Sequence, residues 1–333
     1  MRKHIFLISG IVCALGVFSV FCFFRFRASR VETVEMLAKG VVRLQSGESR
    51  ETESHVAAKS QHSCTLMFGG DMMFDRYIRI RSDKMGKEGV FEVVRAKLLA
   101  ADMVVANLEG PITSNRSKSA GSVAGEARNY VFTFDPAWAK VLAGENIRLV
   151  NIGNNHILNF GESGLVETRR LLWDAGVKFF GDPMDESFRA YVASLCEKRV
   201  GFVSFNQFYE DAERRTLADI DRLLPAVDTL FVYTHWGVEY VPATAEEKRL
   251  AHLFVDRGAD AVIGSHPHIV QEHETYRGKT IYYSLGNFVF DQYFSPETTH
   301  GLLVEVSVAS DNALSFREIP IRLSSDGKTS AAQ

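Results

Sequence analysis

Thr65-Leu66-Met67-Phe68-Gly69-Gly70-Asp71 reads as a short buried β-strand that runs into two glycines and a carboxylate. The same arrangement recurs along the chain. The apolar run 103–106 passes into Asn107-Leu108-Glu109-Gly110, and 147–152 into Gly153-Asn154-Asn155-His156. Residues 229–234 lead to His235-Trp236-Gly237-Val238-Glu239, and 261–264 to Ser265-His266-Pro267-His268. Helical patterns at 90–100, 136–143, 162–175 and 245–257 fall between these runs, which predicts an α/β architecture. In such sheets the carboxyl ends of parallel strands share one edge, where loops build the ligand crevice. The five polar endings are therefore expected to meet in one place.

Other stretches predict antiparallel pairs. Residues 188–195 with 199–205, 275–276 with 280–283, and 302–308 with 314–321 each read as hairpins, the last turning at Asp311 and Asn312. Antiparallel strands added to parallel ones favour two mixed sheets in a sandwich with helices outside, rather than a doubly wound parallel sheet. Residues 114–128, poor in apolar side chains and holding Gly121 and Gly125, are expected to be a mobile surface loop.

The chain has 333 residues, 46% of them hydrophobic, and a formal net charge of −3. Such a composition fills a core and excludes disorder throughout; without a basic run in the body, nucleic acid is not an expected partner. Residues 5–24 are apolar, with Arg2 and Lys3 before them and Arg25, Arg27 and Arg30 after. Twenty residues at about 1.5 Å each span a bilayer core, so 1–30 is expected to be a single-pass membrane anchor. The bulky end at Phe23, Phe24 and Arg25 argues against a cleaved signal peptide. Arginines on both flanks leave the orientation open on charge alone. Residues 31–62 read as a polar stalk, 63–325 as the globular domain and 326–333 as a disordered tail. In the body only Cys64 and Cys196 are present; far apart in sequence, they are expected to be separate buried thiols rather than a disulfide.

The strand endings combine carboxylates (Asp71, Glu109), an amide oxygen (Asn155) and imidazoles (His235, His266, His268). Mixed oxygen and nitrogen donors suit manganese, zinc or iron better than calcium or a thiolate site. Two such ions about 3.5–4 Å apart would clamp a phosphoryl group and acidify a bound water. Each residue alone has a plainer reading: Asp71 as a turn residue, Asn154 and Asn155 as helix caps, His235 as a core histidine. The pair His266-Pro267-His268 is more specific, because the proline stiffens the segment that presents both rings.

In the order and spacing of Gly70-Asp71, Asn107-Leu108-Glu109, Asn154-Asn155-His156, His235-Trp236-Gly237 with Glu239, Gly264-Ser265-His266-Pro267-His268 and Ser284-Leu285-Gly286-Asn287-Phe288, the chain resembles the CapA-type poly-γ-glutamate capsule synthesis proteins of the calcineurin-like metallophosphatase superfamily. The resemblance covers about 65–290. It implies a metallophosphatase-like four-layer α/β/β/α sandwich and one or two divalent ions. By position it implies Asp71 and His268 on one ion, Asn155, His235 and His266 on the other, Glu109 as the bridging carboxylate, and His156 as the general acid. It further implies a body on the extracytoplasmic side of the cell membrane, and a capsule polymer or phosphoester as substrate, with a transmembrane capsule synthase as a candidate partner. Two positions depart from the superfamily pattern: Met73 stands where a histidine is usual, and Glu109 where aspartate is usual. Asp75 or Glu239 are the substitutes expected for the missing ligand, with Asn107, Asn154 and Asn287 as supporting residues. A non-catalytic polymer-binding or synthase-accessory module with a degenerate site is the rival expectation.

Overall fold

A computed structural model of the protein describes residues 63–331. The expected anchor (1–30) and stalk (31–62) lie outside the described residues. Among the described residues no helix is long and apolar enough to cross a membrane.

The first half of the domain runs β1 (Cys64–Met72), α1 (Arg76–Met85), α2 (Arg95–Ala100), β2 (Met103–Leu108), α3 (Trp138–Gly144), β3 (Ile147–Asn151), α4 (Gly161–Asp174) and β4 (Lys178–Phe180). The second runs β5 (Ala190–Leu195), β6 (Lys198–Asn206), α5 (Ala212–Leu223), β7 (Thr229–His235), α6 (Ala245–Arg257) and β8 (Ala261–Ser265). Short strands β9 (His273–Tyr276), β10 (Lys279–Tyr282) and β11 (Asn287–Val289) follow, then β12 (His300–Val308), β13 (Leu314–Leu323) and β14 (Thr329–Ala331).

Two mixed sheets result. One has the order β14-β13-β12-β1-β2-β3-β4, with β11 alongside the end of β1; the other has the order β5-β6-β7-β8-β10-β9. Strands β1 to β4 are parallel neighbours, as are β6, β7, β8 and β10, while the hairpins supply the antiparallel edges. Side chains alternate across each strand, so one strand serves two cores. In β1, Leu66 and Phe68 join Phe202, Phe231, Tyr233 and Ile263 between the sheets. Met67 and Met72 point the other way, into a core shared with α1 to α4. A third core holds Val232 and Val262 against Leu250, Ala251 and Phe254 of α6. Three cores separated by two sheets give layers of helix, sheet, sheet and helix.

Several expectations change. Thr329, Ser330 and Ala331 pair with Leu323, Arg322 and Ile321, so 329–331 form an edge strand within the stretch expected to be a disordered tail. Cys64 and Cys196 form a disulfide, with Cα atoms 5.6 Å apart; folding brings the start of β1 against the β5–β6 turn, and sequence distance hid that approach. The helix expected over 90–100 is confined to Arg95–Ala100, after a 3-10 turn at Lys87–Val90. The loop 114–128 is pinned rather than loose: Ser117 Oγ donates to Asp75 Oδ1 (2.6 Å), and Ser119 is fully buried. Helix α1 was not foreseen, since RYIRIRSDKM carries too few apolar residues to declare a face.

Candidate metal centre

The polar endings of β1, β2, β3, β7 and β8 lie at the carboxyl edges of both sheets and meet there. Two glycines make the approach possible. A Cβ on Gly70 would sit 1.9 Å from the Gly286 carbonyl oxygen, and one on Gly264 would sit 1.8 Å from that of Tyr283. Only a residue without a side chain allows β11 and the strand before it to cross so tightly. The segment Ser284-Leu285-Gly286-Asn287-Phe288, without ligand chemistry evident in sequence, is thereby threaded directly beneath Asp71.

Ligand-type atoms of Asp71, Glu109 and His235 lie within 4.8 Å of one another, and so do those of Glu109, His266 and His268. Glu109 belongs to both groups, the position of a bridging carboxylate. The pairs the resemblance implies also lie close together, with His268 Nδ1 3.3 Å from Asp71 Oδ2. Asn155 Oδ1 is 3.0 Å from His235 Nε2, so this amide joins the same pocket although its residue is exposed.

A buried net of amides fixes the ligands. Asn107 Nδ2 donates to Asp71 Oδ1 (2.8 Å) and to Glu109 Oε2, while its Oδ1 accepts from Asn151 (3.2 Å) and Asn154 (3.1 Å). Asn154 Oδ1 in turn accepts from the His156 N–H at 3.1 Å, which makes Asn154 a brace for the loop and not a ligand. Ser265 Oγ donates to Thr234 O (2.8 Å) and lies 3.2 Å from His235 Nδ1, leaving Nε2 to face Asn155 in the pocket. Asn287 Oδ1 is 3.0 Å from His268 Nδ1 and its amide donates to the His268 carbonyl (3.2 Å), orienting that ring. Ser265 carries no role in the sequence reading; a hydroxyl beside a histidine is the signal that points to it. Phe208, packed 4.9 Å from the His266 ring, gave no signal at all.

Asp75 is not a replacement ligand. It caps α1, accepting from Arg76 N (2.9 Å), Arg79 Nε (2.9 Å) and Thr133 N (2.9 Å), so its carboxylate is fully engaged. Met73, at the departing position, is fully buried and its Sδ accepts from Asp75 N at 3.0 Å. Glu239 lies close enough for its charge to act on Glu109, yet belongs to neither ligand group.

Electrostatics show how poorly this cluster balances by itself. Burial, then repulsion from Asp71, pushes the Glu109 carboxyl well above the usual carboxylate range. Burial, then the neighbouring imidazoles His266, His268 and His156, holds His235 well below the usual histidine value. Burial, then His268, pushes His266 down to about 3. These rings are thus neutral, the form that ligates metals. Glu109 Oε1 and His266 Nδ1 are buried without any hydrogen-bond partner. Buried polar atoms are rarely left so, and a divalent cation would satisfy both atoms; the donor set fits the group.

His156 stands at the rim. Its Nε2 is 3.9 Å from Glu109 Oε1, its Nδ1 is 3.2 Å from Asn159 Oδ1, and Phe132 packs 4.4 Å from its ring. Asn159 Oδ1 also accepts from Phe132 N (2.8 Å), which marks it as an acceptor and assigns the proton of the neutral ring to Nδ1. Burial, foremost, pushes its pKa down to about 4, against the near-neutral value a resident general acid needs. Nε2 therefore presents a lone pair to the pocket.

The family model described as bacterial capsule synthesis protein PGA_cap matches residues 65–292. The PGA biosynthesis protein CapA of Bacillus subtilis is 27% identical over 291 residues, covering 80% of this chain and 73% of its own. The capsule biosynthesis protein CapA of Bacillus anthracis is 25% identical, covering 82% and 71%. A probable polyglutamine synthesis accessory protein of Mycobacterium tuberculosis is 27% identical over 68% of this chain. Among solved structures, a phosphatase from Mycoplasma pneumoniae overlays with a TM-score of 0.49 and 13% identity, covering 79% of this chain and 94% of its own. With 228 of its 333 residues matched in one stretch, from strand β1 to just past β11, the chain belongs to the bacterial capsule synthesis protein PGA_cap family.

Proposed function

We propose that the protein is a metal-dependent, phosphatase-like hydrolase anchored in the cell membrane and acting in the synthesis, release or anchoring of a capsule polymer such as poly-γ-glutamate. One observation carries the chemistry: two buried, unpartnered atoms that each offer a lone pair, Glu109 Oε1 and His266 Nδ1, stand beside His235, His268 and a second carboxylate. Asp71, Glu109, Asn155, His235, His266 and His268 would hold one or two divalent ions. Such ions, when bound, polarise a phosphoryl oxygen and lower the pKa of a coordinated water.

The chain's own residues do the rest. Asn107 keeps Asp71 and Glu109 in fixed rotamers, and Ser265 and Asn287 hold the rings of His235 and His268 in ligating orientation. His156 takes up at Nε2 the proton shed by the attacking water and delivers it to the leaving oxygen, acting as carrier rather than as a stored acid. Phe208 covers the His266 ring and limits water there.

The capsule role is supported by the likeness to the two Bacillus capsule biosynthesis proteins. Membrane anchoring is supported by the apolar run 5–24, and an extracytoplasmic body by the Cys64–Cys196 bond, since disulfides persist mainly in oxidising compartments. Protease digestion of intact cells that spares the body until lysis would reject this topology.

The enzymatic test uses the full chain in detergent. Metal content is measured by mass spectrometry, and turnover of an aryl phosphate is followed with added manganese in wild type and His156→Ala. Wild type that carries no metal after loading refutes the centre. A second reading, a polymer-binding accessory module, is favoured by Met73, which turns its sulfur to Asp75 N and leaves the position two residues after Asp71 without a ligand. Bound metal, no hydrolysis of any ester, and metal-dependent retention on poly-γ-glutamate would select that reading.

A further inference from the structure

A cleft of about 300 Å³ opens between the start of α1, residues 121–130 and residues 291–294. It adjoins the metal centre. Tyr240 on its wall lies 6.1 Å from the His268 ring, and its hydroxyl accepts from Gln292 Nε2 at 2.9 Å. Gln292 Oε1 accepts in turn from Asn287, the residue that orients His268, at 3.1 Å. On the other wall the Arg76 guanidinium lies 5.2 Å from the Phe132 ring and 5.2 Å from the Phe290 ring, the rings that pack against His156 and His268. The cleft thus opens one side-chain layer away from His268 and His156.

From its lining we infer that the cleft takes an uncharged, hydroxyl-rich alcohol, a single sugar being the simplest case, whose phosphate ester reaches the metal centre. The inference rests on the hydrolase reading only for the ester; the recognition of the alcohol is separate. Charge is the first argument. Among the lining residues Arg76 and Asp291 are the charged pair, bonded to each other, and Arg76 Nη1 is taken by Asn129 Oδ1 at 3.0 Å. That leaves no net charge to draw in a polyanion, which needs a groove of unpaired cations.

Surface chemistry is the second. Tyr130, Tyr240 and Phe294 are 50%, 42% and 66% exposed around a cleft whose remaining polar groups are hydroxyls and amides. Large aromatic faces left open beside hydroxyl donors suit a ligand that offers apolar C–H faces and a ring of O–H groups. Size is the third, because this volume lies at the low end of small-molecule sites, ~300–1,000 Å³, and admits one small unit rather than a polymer. Backbone strain agrees: Arg76 (φ 48°) and Tyr240 (φ 65°) hold left-handed conformations that structures seldom keep without a functional use.

The test is equilibrium binding to the full chain in detergent with manganese, comparing glucose 1-phosphate with methyl phosphate by calorimetry, while turnover of both esters is followed in parallel. Glucose 1-phosphate is expected to bind about tenfold tighter, a ratio equal to ~1.4 kcal/mol. Phe294→Ala and Tyr130→Ala, both at exposed positions, should shrink that ratio to about threefold or less, the loss of one aromatic contact. Equal affinities, no measurable binding of either ester, an unchanged ratio in both variants, or salt-sensitive displacement of the sugar ester by a γ-glutamate oligomer overturns the inference. Preference without turnover upholds the cleft and removes the hydrolase reading; turnover without preference does the reverse.

Discussion

Replacing Glu109 by glutamine should make the metal-free protein more stable and the metal-loaded protein less so. Glu109 is fully buried, one of its oxygens lacks a partner, and Asp71 lies beside it with the same charge. An unsatisfied buried acceptor costs ~1–3 kcal/mol, and an uncompensated buried charge adds to that, relieved only in part by protonation. Glutamine keeps the shape, leaves the Asn107 contact an oxygen to donate to, and removes the charge. A gain of ~1–3 kcal/mol in chelator is expected, which for a domain of this size raises the midpoint by ~2–12 °C. The sign of the pH dependence follows. A carboxyl whose pKa rises on folding adds stability that is complete below its unfolded value, ~4.3, and is lost as pH climbs through the folded value. The wild type in chelator should therefore lose stability over that climb, and Glu109→Gln should flatten the profile. With manganese at a hundredfold over Kd, wild type should gain ~2.7 kcal/mol, most of which the variant forfeits along with the bridging oxygen. Thermal melts with and without chelator read both effects. A variant less stable than wild type in chelator, with its manganese shift intact, would show that Glu109 is a structural hydrogen-bonding residue and not a ligand.

Three other outcomes follow from the same geometry. His235→Ala and His266→Ala should each deplete bound metal measured by mass spectrometry while circular dichroism stays native, since no core residue is removed; undiminished metal in both removes these ligands. The Cys64–Cys196 bond closes a loop of 132 residues, for which the chain-entropy expression gives ~5 kcal/mol as an upper figure; the Cys64→Ser, Cys196→Ser protein and the reduced wild type should unfold at clearly lower urea, and coincident transitions would contradict the pairing. Gly70→Ala puts a methyl 1.9 Å from the Gly286 carbonyl oxygen, so it should displace Asn287 and weaken metal binding as well as folding; a variant with native metal affinity would mean that the crossing is looser than described.

The parallel strands and their polar endings were readable because each signal is local. An apolar run of four to six residues followed by Asp71, Asn107, Asn155, His235 or His266 needs no knowledge of the rest of the chain. The hairpins were equally local, and β5–β6, β9–β10 and β12–β13 occur as expected. What sequence concealed depends on contacts across the fold. Cys64 and Cys196 meet only because the two sheets stack, and 329–331 become a strand only because β13 offers an open edge. Asp75 looked like a spare ligand four positions after Asp71, yet the cap of an unforeseen helix claims it. The orientation of the ligand rings is likewise tertiary, since it depends on Ser265 and Asn287, and no spacing rule encodes it.

Strain and close approach explain why the site sits where the sheets' carboxyl edges come together. His266 and His268 hold φ values of 97° and 59°, and Tyr240 beside them 65°. Conformations of this kind cost ~1–3 kcal/mol each and last only where the surroundings over-determine them. Here the surroundings are specific: the His266 N–H donates to Asp71 Oδ2 (3.0 Å), the Tyr240 N–H donates to Pro267 O (2.9 Å), and Asn287 grips His268 from below. Each bond that holds a strained histidine thus originates in a residue from another strand ending. The ligand set cannot assemble piecemeal, because the loop carrying His266 and His268 keeps its shape only when β1 and β11 are already in place. Loss of Asp71 should therefore do more than remove one ligand; it releases the His266 backbone and lets the turn relax to ordinary dihedrals, so Asp71→Ala should abolish metal binding outright, where loss of an independent ligand would only weaken it, and a variant that keeps weakened metal binding would refute this coupling.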